Sequence, residues 1–418
     1  MINFLILIVG LAVYAGYGIS VLYLSTVTLL GYLVGRLIPR YRFLMWMSVV
    51  LLTLPLLFLR IQHWLPWRSI IAPMGISYFT LQIIAYHVDL YRGRYEPEKN
   101  LLRFGVFVTY LPHIFIGPIE PYPRMRKALE ERRISVDNFV KGAVRGLWGL
   151  FKKLVIAARL GVIVSAISAE PEQYNGAFAL AAMLLYAIQL YADFSGGIDI
   201  VLGVSRLLGI RMSENFDAPY FSQSVQEFWR RWHITLGSWL REYVYFPLGG
   251  SRKGKLRKYF NTIVTFLLSG LWHGESFLLW GLMHGIFVSL GEKLRTKSKT
   301  INRIVTFLVV SFLWSFFIWP EPATVVRMAG SVFTVFNYNV LFAGISGMGL
   351  TVGDWVVLGG ACLLLWLYDL KSSSLKARFC AFPPAAKLGT ICLLALTVLT
   401  FGMYGIGFTA SEFIYSRF

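Results

Sequence analysis

Two histidines, His273 and His284, stand eleven positions apart in residues 271–285, LWHGESFLLWGLMHG, a stretch otherwise almost wholly apolar. A histidine acts as general base toward a hydroxyl when its neutral form persists near neutral pH. Burial in apolar surroundings keeps the ring neutral. Such a base suits acyl transfer from a thioester to an alcohol. Eleven positions are about three helical turns, so one continuous helix would hold the rings on one face about 16 Å apart. That is too far to share a metal ion or relay a proton directly, and Gly274 stands where it could interrupt the helix. No metal centre is expected, and each ring needs its own explanation. One is a structural hydrogen bond to a neighbouring helix; the other is function. The residues alone favour neither ring. No G-x-S-x-G elbow accompanies them, which leaves a serine triad unsupported. No Walker-type phosphate loop is present, which argues against ATP hydrolysis.

Three further stretches carry chemistry-bearing residues. YADFSGG (191–197) ends an apolar run. Asp193 and Asp199 are costly in lipid unless paired or facing water. Arg230, Arg231 and Arg241 are the candidate partners, either in a structural ion pair or with Asp193 orienting a catalytic group. FWRRWH (228–233) joins Arg, which grips phosphate and carboxylate through a planar fork, to Trp, which offers a flat stacking face. It reads either as a hold on the nucleotide end of a cofactor or as an interfacial anchor. YLPHIFIGPI (110–119) breaks a helix at membrane depth, where irregular backbone lines a cavity or is buried in protein.

The elements that must position these residues are set by composition. The chain has 418 residues, 56% hydrophobic and only 15% charged, against about 25% charged in an ordinary soluble domain. A bilayer span needs about 20 mostly apolar residues, and runs such as residues 43–59 have no charge at all. The apolar blocks predict an all-α, polytopic fold with about 10–12 spans plus re-entrant and amphipathic pieces. The first twenty residues read as a retained first helix. Net charge is +19, but the basic residues form short clusters between apolar runs, such as Arg36 to Arg42, Lys152 with Lys153, and Arg252 to Lys258. That pattern points to cytoplasmic loops and anionic lipid headgroups, not nucleic acid. Cys362, Cys380 and Cys392 show no metal or disulfide spacing. Residues 75–290 hold most of the Gly and His, and form the expected core of a single membrane-embedded domain over 1–418. Residues 1–60 and 303–418 read as peripheral helices. Between them, apolar positions from Ser224 to Tyr245 recur every three to four residues and predict one amphipathic helix.

Taken together, these stretches resemble the membrane-bound O-acyltransferase family. The carrying segments are DFSG (193–196), ENFDAPY (214–220), FWRRWH (228–233) with SWLREY (238–243), YFPLGG (245–250), and GLWHG with LWGLMHG (270–285). His113 stands where the family pattern has glutamine. The resemblance implies a ring-like bundle around a central funnel in the cell membrane. It implies His284 as the essential histidine, with His273 beside it. It also implies supporting or donor-binding positions at Asp193, Ser195, Asn215, Trp229, Arg230, Arg231, Trp232, His233, Arg241 and Trp272. The branch with the closest spelling O-acetylates alginate and peptidoglycan. For that branch no tightly bound cofactor is expected, acetyl-CoA is the implied cytoplasmic donor, and an extracytoplasmic O-acetyltransferase protein is the implied partner alongside membrane lipids. The other branch moves D-alanyl groups from a carrier protein to teichoic acid. A transporter or flippase without chemistry is a rival of another kind, and the repeated halves expected of it are not seen.

Overall fold

The computed structural model describes residues 2–18, 20–61, 73–291 and 295–404. The blocks expected at 70–88, 274–292 and 387–409 each run partly outside these. Among the described residues the fold is helical, and its only β-type pairing is one isolated antiparallel bridge between Phe216 and Trp232. Five helices are long and apolar enough to cross a bilayer: Ser20–Leu37, Ala177–Leu207, Lys299–Ile318, Val352–Leu375 and Pro384–Phe401. The pair Pro322–Thr334 and Tyr338–Ser346, bent by 96°, makes a sixth if it is one span. Four shorter apolar helices, Ile2–Ala15, Phe43–Leu59, Leu101–Ile116 and Glu275–Leu290, bring the total to the lower end of the expected range if they cross too. The protein is a multi-pass membrane protein.

Burial separates centre from rim. Pro384–Phe401 buries only Val398, and its leucines face outward as lipid-facing residues do. Ala177–Leu207 is the opposite, buried along most of its 31 residues, or about 46 Å of helix. It fuses the apolar blocks expected at 176–192 and 196–210, which the sequence separates at residues 193–195, just before the glycines of DFSGG. Those glycines do not break the helix because they are its packing surface. A Cβ on Gly196 would lie 2.9 Å from the Gly149 carbonyl oxygen, and one on Gly149 would lie 2.5 Å from that of Gly196. Gly203 meets Gly142 and Gly146 in the same way. Backbone thus packs on backbone against Val136–Phe151, the close approach that small residues permit in membranes. The neighbouring helix then continues through a π-helical stretch, Lys152–Ala157.

The break expected near Tyr110 is present. Helix Leu101–Thr109 stops at an extended Tyr110, and Leu111–Ile116 restarts with proline in its first turn. His113 there is fully buried, its Nδ1 3.1 Å from Gln82 Nε2, so this irregular backbone is enclosed in protein. Two expectations are corrected. Residues 224–245 are not one helix but Val225–Arg231, Ile234–Leu240 and a π-helical turn, Arg241–Tyr245. The C-terminal part is not merely peripheral, because Lys299–Ile318 buries Trp314 in the centre of the bundle.

Candidate functional site

The two histidines lie on the arms of a tight antiparallel hairpin. Helix Lys255–His273 ends at Gly274, whose φ of 134° suits glycine alone. After a short turn, Leu278–Leu290 runs back along it. A Cβ on Gly270 would sit 2.4 Å from the Phe277 carbonyl oxygen, one on Gly281 2.4 Å from that of Phe266, and one on Gly285 2.9 Å from the Ile263 Cα. The glycines beside His284 therefore serve the hairpin. The reversal also removes the 16 Å separation of a continuous helix. The Trp280 ring lies 5.6 Å from the His273 ring and 4.7 Å from that of His284, so one indole touches both.

His284 is fully buried. Its Nδ1 accepts a hydrogen bond from Trp229 Nε1 at 3.0 Å, and its Nε2 has no partner among the described residues. Trp229, Trp280 and Trp314 pack on the ring, and Phe266 stacks nearly parallel to it. Trp314, from the segment read as peripheral, was missed as a neighbour. A lone aromatic in an apolar run gives no local signal.

Trp229 is placed by the end of its own helix. Ser224 caps Val225–Arg231. The helix stops where Trp232 pairs with Phe216 and His233 takes a left-handed conformation (φ 45°). Asn215 holds that reversal. Its Oδ1 accepts from the Thr235 amide and hydroxyl, each at 3.0 Å, with His233 Nδ1 at 3.3 Å. The strand carrying Asn215 is itself held by buried Glu120, which accepts from the Ser213 hydroxyl at 2.9 Å. Burial pushes the Glu120 carboxyl above its ordinary value, although Ser213 and Arg124 pull it down. Asn215 and His233 thus position the neighbourhood of Trp229. Trp232 is buried against Phe228 and Trp314, so it packs and does not offer a stacking face to a ligand. Arg231 pairs with Glu227 at 2.8 Å.

Arg230 and Arg241 instead reach a cavity of about 390 Å³, together with Lys258, Ser238 and Trp229. Its far wall carries Thr262, Thr265 and Ser269, at helical spacing along Lys255–His273. Arg241 begins the π-helical turn whose next residue, Glu242, is gripped by Arg92 at 2.8 Å and by Arg94. Trp272 lies elsewhere, lining a separate apolar cavity with Trp239 and Leu81.

The DFSG stretch has other partners than expected. Asp193 pairs with Lys153 at 2.6 Å, not with Arg230, Arg231 or Arg241. Lys152 donates to Ser195 Oγ at 2.8 Å and pairs with Asp199 at 2.7 Å. Arg145 joins Asp199 at 2.9 Å and also binds Glu214. The glycine contact of the two helices brings these groups together. Lys152 and Lys153, read from sequence as a headgroup cluster, are in fact drawn into the bundle. The signal that could have found them is the glycine spacing, 142, 146 and 149 against 196 and 203. Among the described residues no group of three or more His, Cys, Asp or Glu could hold a metal.

Fold and site together define an integral-membrane protein with a buried histidine centre beside a cation-rimmed cavity. The chain belongs to the membrane-bound O-acyltransferase family, whose profile matches residues 28–320. A probable alginate O-acetylase AlgI of Pseudomonas syringae pv. tomato is 36% identical over 322 residues, covering 74% of this chain and 62% of that protein. A peptidoglycan O-acetyltransferase of Helicobacter pylori is 33% identical over 295 residues, 60% of this chain and 56% of its own. A teichoic acid D-alanyltransferase of Streptococcus thermophilus is 29% identical over 303 residues, 66% and 73% respectively. The chain thus spans about three fifths of the length of the two O-acetylating relatives.

Proposed function

We propose that this protein takes an acetyl group from acetyl-CoA at the cytoplasmic face and passes it across the membrane for O-acetylation of a cell-surface or exported polysaccharide. An extracytoplasmic acetyltransferase protein collects the group. The observation that carries this reading is the fully buried His284 one ring behind a cavity rimmed by Arg230, Arg241 and Lys258. The cationic rim suits the phosphates of coenzyme A. The hydroxyls of Thr262, Thr265 and Ser269 suit the amides of its pantetheine arm. Both ends of the histidine hairpin are basic, with Lys255, Arg257 and Lys258 on one arm and Arg295, Lys297 and Lys299 beyond the other. Lys/Arg excess marks the cytoplasmic side, so the cavity mouth faces the donor. His284 takes the proton of the acceptor hydroxyl. The oxygen bonds to the acetyl carbonyl carbon, the C–S bond breaks, and the thiol leaves with the proton. His273, past Trp280 toward the opposite face, supports the outward path.

The test is release of free CoA from radiolabelled acetyl-CoA by the protein in nanodiscs, with the extracytoplasmic acetyltransferase partner and an acceptor oligosaccharide present. Wild type is expected to release CoA and His284→Ala is not; full activity in the folded variant sinks the mechanism. One observation favours a second reading, D-alanyl transfer from a carrier protein to teichoic acid. The D-alanyltransferase relative is covered over 73% of its length, more than the acetylating ones. A stable complex with a D-alanylated carrier protein and no use of acetyl-CoA would establish it.

A further inference from the structure

We propose that Trp229 is the latch of this centre. It fixes His284 in one tautomer and covers it from the cavity, and Nδ1, once uncovered, is the nitrogen that takes the acceptor's proton. The inference rests on the acyl-transfer reading above, with Trp229 as a positioning residue.

An indole N–H donates and cannot accept. The 3.0 Å bond from Trp229 Nε1 therefore requires a lone pair on His284 Nδ1. A neutral imidazole carries one N–H, so the proton is on Nε2. In this arrangement the ring has no free basic nitrogen, because Nδ1 is capped and Nε2 already bears its proton. Protonating Nδ1 would turn two N–H groups against each other, so the indole must leave before the ring can act as base. The same movement opens the ring to substrate. Trp229 and Phe266 both line the cavity and both pack on His284, which is itself 0% exposed. Edge contacts to Phe266, Trp280 and Trp314 complete the indole's seat.

Entry of the thioester displaces the indole. Nδ1 then receives the hydroxyl proton as the hydroxyl oxygen bonds to the carbonyl carbon. When the C–S bond breaks, the same proton passes from Nδ1 to the departing thiolate, and Nε2–H is unchanged throughout. Without donor, the latch keeps the reactive nitrogen away from water.

The experiment is ¹⁵N NMR of histidine-labelled protein in nanodiscs, without donor, with His284→Gln to assign the signal. Wild type is expected to show a protonated Nε2 and a pyridine-type Nδ1. In Trp229→Phe, which keeps the ring and loses the N–H, the two tautomers should mix. His87 reports the fold in the same spectra, because Ser48 Oγ and Gly31 O occupy its two nitrogens. A wild-type proton on Nδ1, or an unchanged His284 signal in a folded Trp229→Phe, overturns the proposal. Cover is read separately, by mass spectrometry of diethylpyrocarbonate labelling. Trp229→Ala should label at His284 at least tenfold faster than wild type, with His87 unchanged; equal rates overturn the latch. Neither readout needs turnover, so failure here is distinct from failure of the acetyl-CoA assignment.

Discussion

Two of the polar sites inside the bundle differ in how far their groups are satisfied. In the first, Lys152, Lys153 and Arg145 meet Asp193, Asp199, Ser195 and Glu214. Each charge faces its opposite, across helices locked by glycine contacts. In the second, His284 Nε2 and Trp280 Nε1 are buried N–H groups with no partner among the described residues. Buried polar groups in proteins are nearly always hydrogen-bonded, so an exception calls for a reason. A closed network rigidifies; open donors around a buried ring are where a reacting carbonyl or hydroxyl can bind. Two motifs that look alike as strings, DFSG and LWGLMHG, therefore do different work.

The comparison breaks if the two sites fail in the same way. His284→Gln, which largely refills the buried site, should lower donor cleavage by about 10²–10⁴-fold, the range of a general base, an effect far larger than its effect on melting. Lys152→Met should do the reverse. It leaves Asp199 buried with Arg145 alone, and breaking a buried pair costs about 3–5 kcal/mol. Thermal unfolding in detergent should show the loss, and Lys152→Met with Asp199→Asn should recover part of it. A large drop in cleavage by Lys152→Met with no change in melting would move the network into the reaction centre. His87→Phe sharpens the contrast from another side. That ring is buried with both nitrogens bonded. Its loss should cost about 1–3 kcal/mol through the unpaired Ser48 hydroxyl and Gly31 carbonyl, with cleavage per folded molecule retained.

Much of this was legible from residue type and spacing. The helix break at Tyr110 and the interruption at Gly274 follow from local backbone chemistry, and the membrane class follows from apolar run length. What was not legible depends on contacts far apart in sequence. The apolar period runs unbroken through Trp232 and His233, and the helix stops there only because Asn215 and Phe216 bridge to it. Arg230, Arg231 and Arg241 are reasonable partners for Asp193 by charge, but the glycine packing delivers Lys153 first. Asp369 donates nothing visible to the pattern, yet its carboxylate accepts from Tyr191 at 2.8 Å, from outside the family match. The residues alone could not choose between His273 and His284. The family resemblance singled out His284, and the fold sets it against Trp229 and Phe266, the two rings that also line the cavity.

The smallest expected effect separates two kinds of arginine. Arg145 is tied to Asp199 and Glu214, whereas Arg230 and Arg241 are exposed at the cavity and have no carboxylate partner among the described residues. A guanidinium without an internal carboxylate is free for an external anion. Arg230→Gln or Arg241→Gln should raise the KM for acetyl-CoA by about tenfold, or about 1.4 kcal/mol, and leave kcat and melting temperature unchanged. Because exposed charges are screened by salt, the wild-type KM should climb with ionic strength toward that of the variants. Dephospho-CoA thioesters should narrow the gap at the arginine that held the missing phosphate. An unchanged KM in both variants, at low and high salt, would take the donor out of this cavity and leave the rim to the acceptor or to lipid headgroups.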